Sequence, residues 1–162
     1  MSVLSTTTDT EALTLTVIAD LAATPDRAWQ LWADPRQLER WWGPPTWPAT
    51  FERHELRPGG TSVYFMTGPD GTRAYGTWRL LDADEPHRLE LEDHFADETG
   101  AARDDMPSHV MVVTLEPGGT GTIMTMTSTF TSAEGLQQVL AMGMLEGLRL
   151  CIEQIDDLLV TV

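Results

Sequence analysis

The side chains best suited to proton chemistry in this 162-residue chain are four histidines, His54, His87, His94 and His109, together with Tyr64 and Asp93. The histidine spacing matches no metal site: there is no HExxH and no paired CxxC. A GxSxG nucleophile elbow and a glycine-rich phosphate loop are also absent. General acid–base work is what remains. His54 shares the inward parity predicted for Leu56, and His109 that of Met111, so either can enter an interior and act with Tyr64 or Asp93. Each histidine taken alone also fits a surface or hydrogen-bonded structural place. The adjacent pairs Asp104-Asp105 and Asp156-Asp157 cannot share one face and read as solvated. No catalytic residue, metal or cofactor is assigned.

The elements that must position these groups follow from periodicity. Leu13 to Leu21 alternates apolar and polar residues, the pattern of a strand. Thr24-Pro25 supplies an N-cap and a proline at the first helical position. Asp34-Pro35 then breaks that helix and starts a second, which runs through Leu38 to Trp41-Trp42. Gly43 to Pro48 forces a loop. From Thr50 to Phe130 the chain reads as antiparallel strands, turning at Pro58-Gly59-Gly60, Gly68-Pro69-Asp70-Gly71 and Pro117-Gly118-Gly119. Residues 96–107 are polar and acidic, the mark of an exposed loop. Ser132 caps a final helix whose stripe from Leu136 to Leu159 predicts one continuous rod of roughly 40 Å. Residues 1–11, rich in Ser and Thr with no apolar run, read as a disordered lead-in; 12–162 read as a single domain.

A formal net charge of −15 excludes a general phosphate-backbone binder, which needs a basic face. No apolar stretch is long enough to span a bilayer, so no membrane insertion is expected. A lone cysteine, Cys151, rules out an internal disulfide and suits a reducing, cytoplasmic compartment. Its neighbours Leu148, Ile152 and Ile155 point to a buried structural thiol.

Pro25 with Ala28-Trp29, Trp41-Trp42-Gly43-Pro44, Arg57-Pro58-Gly59-Gly60, Gly68-Pro69-Asp70-Gly71 and Gly121-Thr122 occur in an order that resembles one family. It is the START-like (SRPBCC) family related to the C-terminal domain of the heat-shock chaperone ATPase activator. The resemblance implies an α+β helix-grip fold: a curved antiparallel sheet of six or seven strands wrapped around a long C-terminal helix, with two short helices after the first strand. One departure is Gly147-Leu148, where the family often has Gly-Trp.

Parity and that fold together predict a hydrophobic cavity. Its expected lining is Tyr64, Met66, Trp78, Leu91, Met124, Met126 and Ser128 from strands, facing Leu140, Gly143 and Met144 from the helix. Trp42 and Trp47 are expected near the mouth, and His54 and His109 as polar groups inside. Methionines suit a wall that adapts to varied apolar ligands. The leading expectation is a carrier of a small apolar or aromatic molecule, working as a monomer or homodimer with no nucleic-acid partner. A cyclase- or dehydratase-type enzyme on a polyketide-like substrate is the second, and a chaperone-associated interaction protein the third.

Overall fold

Alternation of apolar and polar residues builds most of the molecule, and the computed structural model describes residues 3–160. Eight strands form one antiparallel sheet: β1 (Val3–Asp9), β2 (Thr14–Leu21), β3 (Ala49–His54), β4 (Thr61–Thr67), β5 (Arg73–Asp84), β6 (Arg88–Ala96), β7 (His109–Gly118) and β8 (Gly121–Phe130). Their spatial order is β1-β2-β8-β7-β6-β5-β4-β3. In β2 every second side chain is buried, and the same holds for Met111, Val113 and Leu115 of β7 and Met124, Met126 and Ser128 of β8. The two faces are therefore fixed as parity requires.

The sheet has eight strands rather than six or seven. The additional one, β1, comes from the segment expected to be a disordered lead-in, whose first two residues lie outside those described, as do the last two of the domain. β1 pairs along β2, Thr6 opposite Val17 and Asp9 opposite Thr14. It is an edge strand exposed along nearly its whole length, so no apolar alternation marks it. Asp9 Oδ1 closes the connecting turn by accepting from the backbone N–H of Glu11 and Ala12.

Between β2 and β3 the chain crosses the sheet through α1 (Pro25–Ala33) and α2 (Pro35–Leu38). Thr24 caps α1, its Oγ1 accepting from Arg27 N–H at 3.3 Å, and Asp34 caps α2 by accepting from Arg36 N–H at 2.9 Å. Pro35 has no N–H, so it cannot bond the Leu31 carbonyl one turn back. The indole Nε1–H of Trp41 does so instead, at 2.9 Å. The next carbonyl, Trp32 O, accepts from His54 Nε2 at 2.6 Å. Two aromatic rings thus complete the C-terminus of α1. Trp32, Trp41, Trp42 and Trp78 pack around this junction, with Trp32 and Trp41 edge-to-face at 4.8 Å.

The predicted single C-terminal rod is three helices, α3 (Ala133–Ala141), α4 (Met144–Glu153) and α5 (Ile155–Val160). Gly143 adopts φ +83°, the left-handed conformation that ends a helix, and its N–H bonds Leu140 O. The stripe Leu136, Val139, Leu148, Cys151, Ile152, Ile155 and Leu158 stays buried across the break. Gly143 and Gly147 are one turn apart but differ in conformation, and their alanine variants should move stability in opposite directions. Gly143→Ala is expected to cost about 1 kcal/mol for the positive φ. Gly147→Ala meets no atom within 4 Å and should gain up to about 1 kcal/mol as a better helix former. Urea denaturation of the two variants decides; equal signs would mean that Gly143 is not a helix terminator.

Among the described residues no helix is long and apolar enough to cross a membrane.

Candidate functional site

α3 and α4 come closest to β8, β2 and β1 and stand off the other half of the sheet. In that gap lies a pocket of about 310 Å³, walled by β4 to β7 on one side and by α3 and α4 on the other. Tyr64, Met66, Gly76, Phe95 and Met111 come from the sheet. Val139, Met142, Gly143, Met144, Gly147, Leu148 and Cys151 come from the helices. Trp42 and Pro44 close one end, and Pro107 joins from the end of the acidic loop. The helix break places Met142 and Gly143 at the wall, with Met142 55% exposed.

Three ionisable side chains meet inside this mainly apolar wall, which Tyr75, His94 and Cys151 also line. The Tyr64 hydroxyl donates to Asp93 Oδ1 at 3.4 Å, and His109 Nε2 lies 3.6 Å from Asp93 Oδ2. Each is placed by its strand: Tyr64 sits opposite Gly76 in the β4–β5 ladder, and Asp93 opposite His109 in β6–β7. A Cβ at Gly76 would collide with the Tyr64 ring, so the glycine lets that ring lie flat across β5. His109 packs against Phe130 at 4.9 Å, and its Nε2 has no hydrogen-bond partner.

Burial dominates the electrostatics here. It pushes the Asp93 carboxyl up to about 7, against the lowering effect of its Tyr64 and Trp78 neighbours. It also raises Tyr64 well above the usual phenol range, helped by the adjacent Asp93 charge. His109 is driven down to about 4 by burial first and by His94 second. The indole N–H groups of Trp42 and Trp78 face the Tyr64 oxygen, but at geometry too loose for a hydrogen bond. At neutral pH the cluster therefore holds a neutral imidazole, a neutral phenol and a carboxyl near its midpoint. Burial likewise lifts the Cys151 thiol to about 12, as a structural cysteine requires.

Of the residues predicted from sequence, Trp42, Tyr64, Met66, His109, Gly143 and Met144 line the pocket. The others lie elsewhere. Trp78, Leu91, Met124, Met126 and Ser128 are on the predicted inner face but are fully buried. The helices press close to β8 and β2 over Met124, Met126 and Ser128, Trp78 packs among Trp32, Trp42 and Phe51, and Leu91 lies in the same main core. Leu140 packs beside a smaller cluster of Leu15, Phe130, Leu136 and Val139. Trp47 lies over Gly68 and does not line the pocket. His54 faces inward, opposite buried Ser62 across a register shift between Phe51 and Arg53, but it packs against Phe51 and Trp78 at the end of α1 and does not line the pocket. Its Nε2–H caps α1, so its Nδ1 accepts from the Ser62 hydroxyl at 2.8 Å, and burial keeps it neutral. It is a structural histidine. Asp93 has the parity of Leu89 and Leu91, and that signal identifies it as inward. Val139, Met142 and Pro107 carried no sequence signal, since their positions depend on the helix break and on the loop.

Among the described residues no group of three or more His, Cys, Asp or Glu is disposed to hold a metal ion. All ten basic side chains counted as Lys plus Arg are arginines, and none of them lines the pocket.

An open antiparallel sheet gripping a C-terminal helical segment, with two short helices after β2, defines the helix-grip, START-like class. Residues 22–160 match the family described as Activator of Hsp90 ATPase homolog 1-like protein, and the chain belongs to that family. Its fold is similar to that of protein Ms6760 from Mycobacterium smegmatis, at 48% identity and a TM-score of 0.91, covering 99% of this chain and 98% of that one. A protein from Arthrobacter aurescens is 52% identical with a TM-score of 0.91, covering 96% and 90%. The AHSA1 protein of Silicibacter pomeroyi, at 15% identity and a TM-score of 0.72 over 91% and 97%, shares the fold. No curated protein matches the chain significantly.

Proposed function

We propose that this protein binds a small apolar or aromatic molecule in the pocket between β4–β7 and α3–α4, in a cytoplasmic setting, without covalent chemistry. The observation that carries this reading is the pocket itself: about 310 Å³ of space walled by methionine, leucine and aromatic side chains, with polar groups confined to one patch. That volume falls at the lower end of the range that holds small organic ligands. Apolar area removed from water supplies the affinity, at about 25 cal/mol per Å² before association costs.

Gly147 makes a clean test possible. It lines the pocket, has ordinary helical backbone and has open space around it. Gly147→Leu should fill the pocket and abolish saturable changes in tryptophan emission on titration with apolar aromatics. Gly147→Ala serves as the folded control. Binding that survives Gly147→Leu would place the ligand elsewhere. Gly143→Leu is a poorer choice, because its positive φ would strain any larger residue.

The Tyr64–Asp93–His109 cluster favours a second reading, acid–base catalysis on a bound substrate. A buried carboxyl held near 7 is suited to giving and taking protons at neutral pH. The partner for Tyr64 in such a role is Asp93 with His109, in place of His54. A chaperone-associated role rests on the family description alone and ranks third.

A further inference from the structure

We infer that the occupant of the pocket is an apolar molecule bearing one ammonium group, which docks between the Asp93 carboxylate and the His109 imidazole. This rests on the pocket reading above and narrows it to a ligand class.

The polar patch is one-sided. The Tyr64 hydroxyl donates toward Asp93 Oδ1, and the Trp42 and Trp78 indoles stand behind that hydroxyl. Oδ1 therefore has a protein donor in the Tyr64 hydroxyl, with the Trp78 indole also near the carboxyl. The other, Oδ2, faces His109 across 3.6 Å, too far for a hydrogen bond between them. His109 Nε2 is buried and unpartnered, and in the Nδ1–H tautomer it presents a lone pair. With Asp93 ionised and His109 in that tautomer, two acceptors face one another with no donor between them, which matches a group that has N–H bonds to give and none to receive. A buried acceptor left unpaired is costly, so the patch favours an occupant that satisfies it.

Charge points the same way. No arginine lines the pocket and the chain has no lysine, so a ligand carboxylate or phosphate would meet neither a guanidinium nor an ammonium group there. A cation would meet Asp93, with the rings of Trp42, Tyr64 and Phe95 in the same wall. The net charge of −15 also draws cations toward the protein. Burial penalises the Asp93 carboxylate and lifts the group to about 7, so a cation beside it would relieve that penalty. The other titratable groups around it leave this intact: Tyr64 from β4 and Cys151 from α4 are pushed further into their neutral forms, and His109 from β7 is neutral above about 4. His94, next to Asp93 on β6, pairs with Glu92, and Tyr75 completes the wall from β5.

The experiment titrates the full chain, by tryptophan fluorescence, with 3-phenylpropylamine, 3-phenylpropanol and 3-phenylpropanoate. These three share one apolar body and differ in the head group. The amine should bind about ten-fold or more tighter than the alcohol, because charge-assisted hydrogen bonds are roughly twice as strong as neutral ones, and the carboxylate should bind weakest. Asp93→Asn should erase the amine's advantage, bringing amine and alcohol to similar affinity. In the unaltered protein, amine affinity should rise between pH 6 and pH 8 as Asp93 loses its proton, an arm that needs no variant. Alcohol binding equal to amine binding, carboxylate binding tightest, or amine affinity falling with pH would overturn the ammonium assignment and leave the pocket reading standing. Absence of saturable binding by all three would overturn both.

Discussion

Trp41→Ala should destabilise the protein by about 3–5 kcal/mol, measured by urea denaturation, and should be the most damaging single truncation around the helical junction. The ring is fully buried and packs edge-to-face on Trp32 at 4.8 Å and on Trp42 at 5.5 Å. Its indole also holds the Leu31 carbonyl that Pro35 leaves without a backbone donor. The backbone carbonyls of Trp41 and Gly43 in turn accept from Gln154 Nε2, tying the junction to the end of α4. Trp41→Phe separates the two contributions. It keeps most of the apolar contact but strands the carbonyl, and should cost about 1–3 kcal/mol. A loss of under about 1 kcal/mol for the alanine variant would mean that the junction does not depend on this ring.

The second large effect is a pair of opposed pH dependences. Asp93 rises on folding from 3.8 to about 7, so the folded state holds its proton longer. Its contribution is fully present below pH 3.8 and is lost as pH rises through about 7. His109 falls from 6.5 to about 4, so its contribution is present above pH 6.5 and is lost as pH falls through about 4. Each is worth at most on the order of 3–4 kcal/mol, and in the unaltered protein the two slopes oppose one another between pH 4 and 6.5. Removing either group exposes the other. Relative to the parent, Asp93→Asn should become progressively more stable from pH 4 to 7, and His109→Leu progressively less stable from pH 4 to 6.5. Difference curves from urea melts cancel the carboxylates held low elsewhere, such as Asp34 and Asp97. Both slopes reversed would identify an Asp93–His109 ion pair, with each group charged in the folded state.

Much of this arrangement was legible in the sequence where a residue's place depends only on its near neighbours. Alternation assigned Tyr64, His109 and Met111 to the inner face, and Asp34-Pro35 located the joint between the two short helices. Three features depend on more. β1 carries threonines on an exposed edge, so neither face leaves an apolar trace. His54 faces inward across a register shift in β3, but the open carbonyl at the end of α1 engages it before it can reach the pocket, a contact made across 22 residues of sequence. Gly143 lies within an unbroken apolar stripe, and only its dihedral shows that the helix ends there. The pocket then formed where the bent helical segment parts from the sheet, which is why Met124 and Met126, with the right parity, still fell in solid core.

The order of the strands also bears on how the chain finds this structure. Every neighbouring pair in the sheet is consecutive in sequence except β2 and β8. That ladder joins Leu21 to Thr122 and Thr14 to Thr129. Hairpins can therefore zip from β3 through β8 without long searches, while β1 and β2 pair on their own. Uniting the two pieces closes a loop of about a hundred residues, an entropic cost of roughly 4 kcal/mol. The far end of the ladder is clasped by Asp20, which accepts from the Thr120 N–H and hydroxyl, and by the Thr122 hydroxyl, which donates to Ala23 O. Docking of β2 is the most non-local pairing in the sheet, the kind of contact that slows folding. Until it occurs β8 is an open edge, and the half-built sheet is most vulnerable to pairing with another chain.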